Sequence, residues 1–144
     1  MSNETDYPAA VDIVGYNYTE DRYDADHAKY PSRIIYGSEN GHGYQQWLAV
    51  RDKDFIFGQF LWTGTDYLGE SGVWPSRGLG TGLLDFGNFP KTRGKFRASL
   101  WCENPVAYLV AYPHPSDGRD PGYWIDAPAH WNYENEGTMM RVLC

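Results

Sequence analysis

Three apolar runs at a regular spacing constrain the fold of this chain most strongly. The runs are Val11–Tyr16, Arg33–Gly37 and Phe55–Trp62, and their starts lie about 22 residues apart. Short apolar runs rich in β-branched and aromatic residues are typical of buried strands, and the spacing leaves room for one short helix between successive strands. Strands that alternate with helices form parallel sheets, whose strands are near-continuously apolar. The first half of the chain is therefore predicted to be α/β.

The segments around these runs fit that prediction. Glu20–Tyr30 is charged and weakly helical, whereas Gly43–Lys53 places apolar residues near helical spacing and predicts a helix that covers the sheet. Gly64–Pro90 is rich in glycine and lacks periodicity, which predicts a long functional loop over the open end of the sheet. Thr92–Glu103 predicts a further helix, which the proline at position 105 ends.

From about Asn104 the pattern changes to that of an all-β protein. Val106–Tyr112 alternates large and small side chains, and Gly137–Cys144 begins another strand-like run. The predicted domains are residues 1–103, which are α/β, and residues 104–144, the start of a β-sandwich. Because the last run has no turn after it, we expect the chain to be a piece of a longer protein, and we assign no export route.

Composition excludes several function classes. The formal net charge of −7 argues against a nucleic-acid partner, whose phosphates require a basic surface. The start of the chain is polar and unlike a signal peptide, and no apolar run approaches membrane-spanning length, so no membrane partner is expected. Cys102 and Cys144 have no zinc-type spacing and the four histidines are scattered, so neither a metal site nor a cofactor is predicted.

Polar and aromatic residues follow each of the three predicted strands. They are Asn17 and Tyr18 after the first, Glu39 after the second, and Trp62 and Asp66 after the third. Because the carboxyl ends of parallel strands meet at one edge, these residues are expected around one mouth. Glu39 is the candidate nucleophile or general base, and the Tyr18 hydroxyl can donate to it. Trp62 offers a stacking surface, while Asn17 and Asp66 can bind hydroxyl groups.

A structural interpretation of each residue stays open at this point. Glu39 alone can be a solvated loop carboxylate, Tyr18 and Trp62 can be core residues, and Asn17 can form a turn.

Several stretches carry a resemblance to a known family. They are Asp12–Tyr18, Ile35–Glu39, Gly58–Thr63, Asp66–Glu70, Gly82–Asp85, Phe89–Lys91 and His130–Asn132. In this order they cover nearly the whole chain and resemble the carboxyl-terminal part of the catalytic barrel of glycoside hydrolase family 2. This is the β-galactosidase and β-glucuronidase group, and the β-galactosidase-like members are the most similar. No single tetrapeptide is decisive, but the ordered set is specific.

The resemblance implies that the chain holds the last three βα units of a (β/α)8 TIM barrel, strands six to eight, followed by the first strands of an immunoglobulin-like sandwich. Glu39 would be the nucleophile of a retaining enzyme that hydrolyses terminal β-linked sugars. The family's acid/base Glu follows an Asn at the end of the fourth strand, which would precede Met1. The Asn-x-Lys triplet associated with glucuronate recognition is missing, which favours a neutral sugar such as galactose.

The chain offers other carboxylates, but none is assigned as the acid/base. Glu4 and Glu136 each follow an Asn without an apolar strand before them, and Glu20 and Glu70 are loop carboxylates near the predicted mouth. A chain with only one of two catalytic carboxylates is expected to be nearly inactive alone. A carbohydrate is the expected partner, and a homo-oligomer of the longer enzyme stays open.

Two other functions compete with this interpretation. A non-catalytic carbohydrate-binding module would use Trp62, Tyr67 and Trp74 as a stacking platform, which explains the 17% aromatic content but gives Glu39 no task. A small α/β interaction domain would bind no sugar.

Overall fold

The computed structural model describes residues 5–114, 127, 130, 132–134 and 137–144. The backbone contacts divide the chain into two compact units, Met1–Trp62 and Thr63–Cys144. The predicted domain boundary between residues 103 and 104 stays a prediction.

The first unit is a parallel sheet with helices between its strands, which confirms the α/β prediction. Its strands are β1 (Ile13–Asn17), β2 (Ile34–Asn40) and β3 (Ile56–Leu61), in the order β1-β2-β3. Helix α1 (Tyr23–Lys29) follows a short 3-10 turn after β1, and helix α2 (Tyr44–Arg51) connects β2 to β3. The second strand is longer than the predicted run, because the chain stays extended to Asn40 before α2 begins.

The core of this unit lies on one face of the sheet. Alternate strand residues are buried there against Tyr23 of α1; they are Val14, Tyr16, Ile35 and Ile56. On the strands, Ile13, Ile34 and Phe57 remain 45%, 49% and 66% exposed. The apolar runs predict buried strands, whereas burial alternates along β1 and β2, so that only one face of each is buried in this structure.

A buried polar cluster fastens α1 to the sheet. The Tyr16 hydroxyl donates a 2.7 Å hydrogen bond to Asp26 Oδ2 and accepts a 2.9 Å hydrogen bond from Arg33 Nη1. Arg22 and Arg33 also lie 3.7 and 3.9 Å from the Asp26 carboxylate. Since buried carboxylates are costly without partners, these contacts explain how Asp26 can be buried in the middle of α1.

The strands β1 and β2 fall out of simple register at their carboxyl ends. The pairing of β1 with β2 shifts between Tyr16 and Asn17, and that of β2 with β3 shifts on both sides of Gly37. Such irregularities change the direction of the side chains that follow and are common beside active sites.

Among its described residues, the second unit contains two small antiparallel pairs and one helix. The pair β4 (Tyr67–Leu68) and β5 (Gly78–Leu79) lies within the predicted loop 64–90. Helix α3 (Thr92–Trp101) matches the predicted helix, and β6 (Val110–Pro113) pairs with β7 (Met140–Leu143) as two strands of the predicted β region. Trp131 and the two rejected Asn-Glu pairs lie outside the described residues.

No helix within the described residues combines the length and the hydrophobicity that a bilayer crossing would need.

Candidate functional site

Glu39 is the second-to-last residue of β2, at the carboxyl end of the sheet, as predicted. Its side chain is half-buried, and its backbone is paired with Asn17 of β1. A carboxylate at this position is held by the strand yet reachable from the sheet edge, which is the placement that a nucleophile needs.

The end of β1 brings two predicted residues to Glu39. Asn17 Nδ2 lies 3.5 Å from Glu39 Oε2, at the outer limit of a hydrogen bond, and the Tyr18 backbone N–H donates a 2.9 Å bond to the Glu39 carbonyl. Tyr18 has a φ of 48°, a left-handed conformation that is uncommon for residues other than glycine. The irregular strand end therefore gathers Asn17, Tyr18 and Glu39, three of the five predicted site residues.

The Tyr18 hydroxyl is held in its protonated form. Partial burial of the hydroxyl, a hydrogen bond with Glu39 and the negative charges of Glu39 and Glu20 raise the pKa of Tyr18 from 10.0 to about 12. A neutral phenol beside a carboxylate is a hydrogen-bond donor, which orients the carboxylate and stabilises its ionised form.

Two further residues join this cluster that the sequence did not single out as site residues. They are Asn40 and Glu20. Asn40 is fully buried, and its Nδ2 donates a hydrogen bond to Glu20 Oε1. The Asn40 carbonyl also accepts a 2.9 Å bond from the Trp62 N–H. The available signal was the Glu39-Asn40 pair itself: a polar residue that directly follows a candidate nucleophile can link it to neighbouring strand ends.

Trp62 and Asp66 have different surroundings. Trp62 follows β3, is 38% exposed, and is tied to the cluster through its backbone bond to Asn40. Asp66 belongs to the second unit, where both of its carboxylate oxygens accept 3.0 Å bonds from Lys91 Nζ and one accepts a 2.7 Å bond from the Gly82 N–H. These bonds fasten the loop that contains Asp66, and its hydroxyl-binding role stays a prediction.

The described residues show no group of three or more His, Cys, Asp or Glu side chains arranged to hold a metal ion. The chemistry available at this site is that of a carboxylate with hydrogen-bond donors around it.

The sequence of this chain is similar to parts of two longer curated proteins. A protein named beta-galactosidase BoGH2A, from Bacteroides ovatus, is 39% identical over 89 residues, which is 60% of this chain. A Formosa agariphila protein with a provisional beta-glucuronidase name is 32% identical over 90 residues, or 58% of this chain. The chain spans only about a tenth of the length of these curated relatives, 10% and 9% respectively.

The fold agrees with the sequence similarity. A crystal structure of a glycosyl hydrolase family 2 member from Bacteroides cellulosilyticus matches 95% of this chain with a TM-score of 0.79 and 31% identity, and the match covers 20% of that protein. A comparison with protein-family models gives no match. The predicted resemblance is confirmed by the relatives in sequence and structure: this chain is related to glycoside hydrolase family 2 and corresponds to a part of its longer members.

Proposed function

We propose that this chain is the nucleophile-bearing part of a retaining glycoside hydrolase that acts on terminal β-linked sugars. The observation that carries the proposal is the placement of Glu39: a half-buried carboxylate at a strand end, with Asn17 and Tyr18 directed to it from the neighbouring strand. The names of the relatives support the same reaction class.

In the proposed reaction, one Glu39 oxygen attacks the anomeric carbon and the bond to the leaving oxygen breaks, which gives a covalent glycosyl ester. The leaving oxygen takes a proton from an acid/base carboxyl that another part of the longer protein supplies. That group then removes a proton from water, the water oxygen attacks the anomeric carbon, and Glu39 leaves as the free carboxylate. The Tyr18 hydroxyl orients the free Glu39 carboxylate before its attack, and Asn17 and Trp62 contact the sugar.

We also infer where the chain lies in the longer enzyme. The sheet of the first unit has one face covered by helices and an open apolar face, as strands six to eight of a (β/α)8 barrel would have when taken alone. The antiparallel β6–β7 pair would then be the first part of an immunoglobulin-like sandwich within residues 104–144.

A β-galactoside is the proposed substrate. One relative is named a beta-galactosidase, and the chain lacks the Asn-x-Lys triplet that is associated with glucuronate. The other relative's name makes a β-glucuronide the competing substrate. A binding module is a weaker proposal, because the Arg77 guanidinium lies 5.4 Å from the Trp74 ring centroid and covers one face of this exposed ring.

The test is Glu39→Gln in the complete gene product that contains this chain, with 4-nitrophenyl β-D-galactoside as substrate. Loss of the nucleophile should abolish turnover, while Glu103→Gln, the same change at an exposed site, should leave it unchanged. A 2-fluoro galactoside should label Glu39 covalently in the unaltered enzyme, and mass spectrometry of its peptides locates the label. Normal turnover by Glu39→Gln, or a label on another residue, would exclude this role.

A further inference from the structure

Asn40 is fitted tightly into the end of β2. The residue is fully buried, and its amide lies against the Cα of Gly37, where a Cβ would overlap Asn40 Oδ1. The Tyr23 hydroxyl lies 3.4 Å from Asn40 Nδ2 on the core side. A side chain packed on all sides has one orientation, so the direction of its amide donor is fixed.

The fixed amide determines the position of Glu20. Asn40 Nδ2 donates to Glu20 Oε1, and the reverse orientation would place the amide oxygen against a carboxylate that can only accept. Glu20 itself is half-buried in the 3-10 turn that follows β1. It is therefore an oriented carboxylate and not a freely moving surface charge.

Glu20 acts on the same groups as the proposed nucleophile. Asn40 directly follows Glu39 in β2, so a single side-chain hydrogen bond separates Glu20 from the strand end that carries Glu39. The charges of Glu39 and Glu20 both favour the neutral form of the Tyr18 hydroxyl and raise its pKa.

The cations described in the first unit contact other groups. Arg22 and Arg33 lie beside Asp26, Arg51 beside Asp52, Lys53 beside Asp24, and Lys29 over the Tyr30 ring. The contacts described for these five cations are therefore with groups other than Glu39 and Glu20.

We propose that Glu20, held by Asn40, is a specificity-determining carboxylate that disfavours sugars bearing a carboxylate of their own. This inference rests on the proposed function and gives a structural reason for its preference for an uncharged sugar over a uronate. Asn40 is the positioning residue, because it acts through Glu20. Like charges near each other in a partly desolvated site repel by an amount that suffices for selection between two otherwise similar ligands.

The experiment compares two inhibitors that differ only in the group at C6, which is a hydroxymethyl group in one and a carboxylate in the other. D-galactose and D-galacturonate are measured as competitive inhibitors of 4-nitrophenyl β-D-galactoside hydrolysis by the complete gene product. Galacturonate should bind more weakly, and Glu20→Gln should lower the ratio of its Ki to that of galactose by roughly tenfold. The change should shrink as salt is added, because salt screens exposed charges. If Glu20→Gln abolishes turnover, inhibition cannot be measured, and equilibrium titration with each sugar supplies the ratio of the two dissociation constants instead.

Asp21→Asn is the matched control, since it removes one negative charge from the adjacent, exposed position. It should leave the Ki ratio unchanged, whereas Asn40→Ala should lower the ratio by releasing Glu20. An equal loss of affinity for both sugars in Asn40→Ala would indicate a purely structural role. The inference is overturned if Glu20→Gln keeps the original ratio, if Asp21→Asn lowers it equally, or if the unaltered enzyme prefers galacturonate. The Glu39→Gln test is independent of this ratio, so each proposal fails on its own result.

Discussion

At the residue scale, the backbone at Tyr18 is under local strain. A φ of 48° in a residue with a large side chain costs of order 1–3 kcal/mol and persists only where surrounding contacts enforce it. Here the Tyr18 N–H bond to the Glu39 carbonyl does so. The strained turn aims the hydroxyl at the carboxylate, so part of the folding free energy is used to orient the proposed nucleophile.

We expect Tyr18→Phe to lower kcat/KM for the aryl galactoside by roughly 10–100-fold, because a hydrogen bond to a charged group contributes about 1.5–3 kcal/mol. The pKa of Tyr18 is raised from 10.0 to about 12, so the hydroxyl is fully protonated below pH 10 and loses its proton only as the pH rises through about 12. The factor by which Tyr18→Phe lowers kcat/KM should therefore be constant between about pH 6 and 9.

The matched control for this prediction is Tyr7→Phe, at a residue that is 55% exposed. A pH–rate profile of the complete gene product with both variants provides the measurement. A loss that disappears on the alkaline side of the profile would mean that Tyr18 gives up its proton in that range and would contradict the assigned protonation state.

The sequence predicts the positions of some site residues but not of others. Glu39, Asn17 and Tyr18 follow apolar runs, so strand periodicity and the rule for parallel strand ends suffice to bring them together. Asn40 and Glu20 form their contact across 20 positions of sequence, and the packing of the Asn40 amide against Gly37 and Tyr23 specifies it. Periodicity carries no information on such a contact.

At the element scale, α1 is a short helix that depends on the sheet. It has seven residues, and isolated helices of this length are not stable in water. Its weak helical pattern made it the least distinct element in the sequence. The polar cluster of Tyr16, Asp26 and Arg33 supplies the missing stability, and its members lie on β1, on α1 and before β2.

We expect Tyr16→Phe to loosen α1 locally, because Asp26 and Arg33 would each lose a buried partner, at a total cost of about 1–2 kcal/mol. Hydrogen exchange measured by mass spectrometry on the complete gene product should show peptides from residues 23–29 exchanging roughly 5–30-fold faster. Tyr7→Phe should not change this rate. Unaltered exchange in Tyr16→Phe would show that the cluster does not hold the helix.

The strand ends also show the limit of a periodic pattern. The sequence predicts where β2 begins, but the strand continues to Asn40, past the apolar residues. Register shifts on both sides of Gly37 allow Glu39 and Asn40 to leave the simple alternation. Backbone pairing of β2 with β1 and β3 keeps the polar segment Glu39–Asn40 extended. The local pattern of apolar residues does not predict this pairing.

At the scale of the whole molecule, the first unit leaves apolar surface exposed, and its outer strands have no further strand paired to them within the part of the chain that the structure describes. Strands β1 and β3 are the outer strands of the sheet, and Ile13, Ile34 and Phe57 project from the face opposite the core with about half or more of their surface exposed. Unpaired edges and contiguous apolar surface favour association with another chain or segment. In the proposed longer enzyme, the remaining barrel strands would cover both.

The last prediction concerns the 144-residue chain prepared alone. Ile34 and Phe57 are 49% and 66% exposed, so burying their remaining surface would stabilise an assembly by about 1–2 kcal/mol for each side chain. We therefore expect the chain to form species larger than its 16.4 kDa monomer and to bind a hydrophobic dye. It should not hydrolyse the aryl galactoside, because the acid/base carboxyl would be missing. Light scattering, dye fluorescence and a turnover assay measure the three properties.

Replacing Ile34 and Phe57 together by Lys should reduce both assembly and dye binding, since charges on an open sheet face oppose contact. Leu109→Lys serves as the control, because Leu109 is 59% exposed but belongs to the second unit. Far-UV circular dichroism checks that each variant keeps its secondary structure. A monomeric, dye-free and folded wild-type chain would show that this sheet face needs no cover, and the proposed position of the chain within a barrel would then lose its physical support.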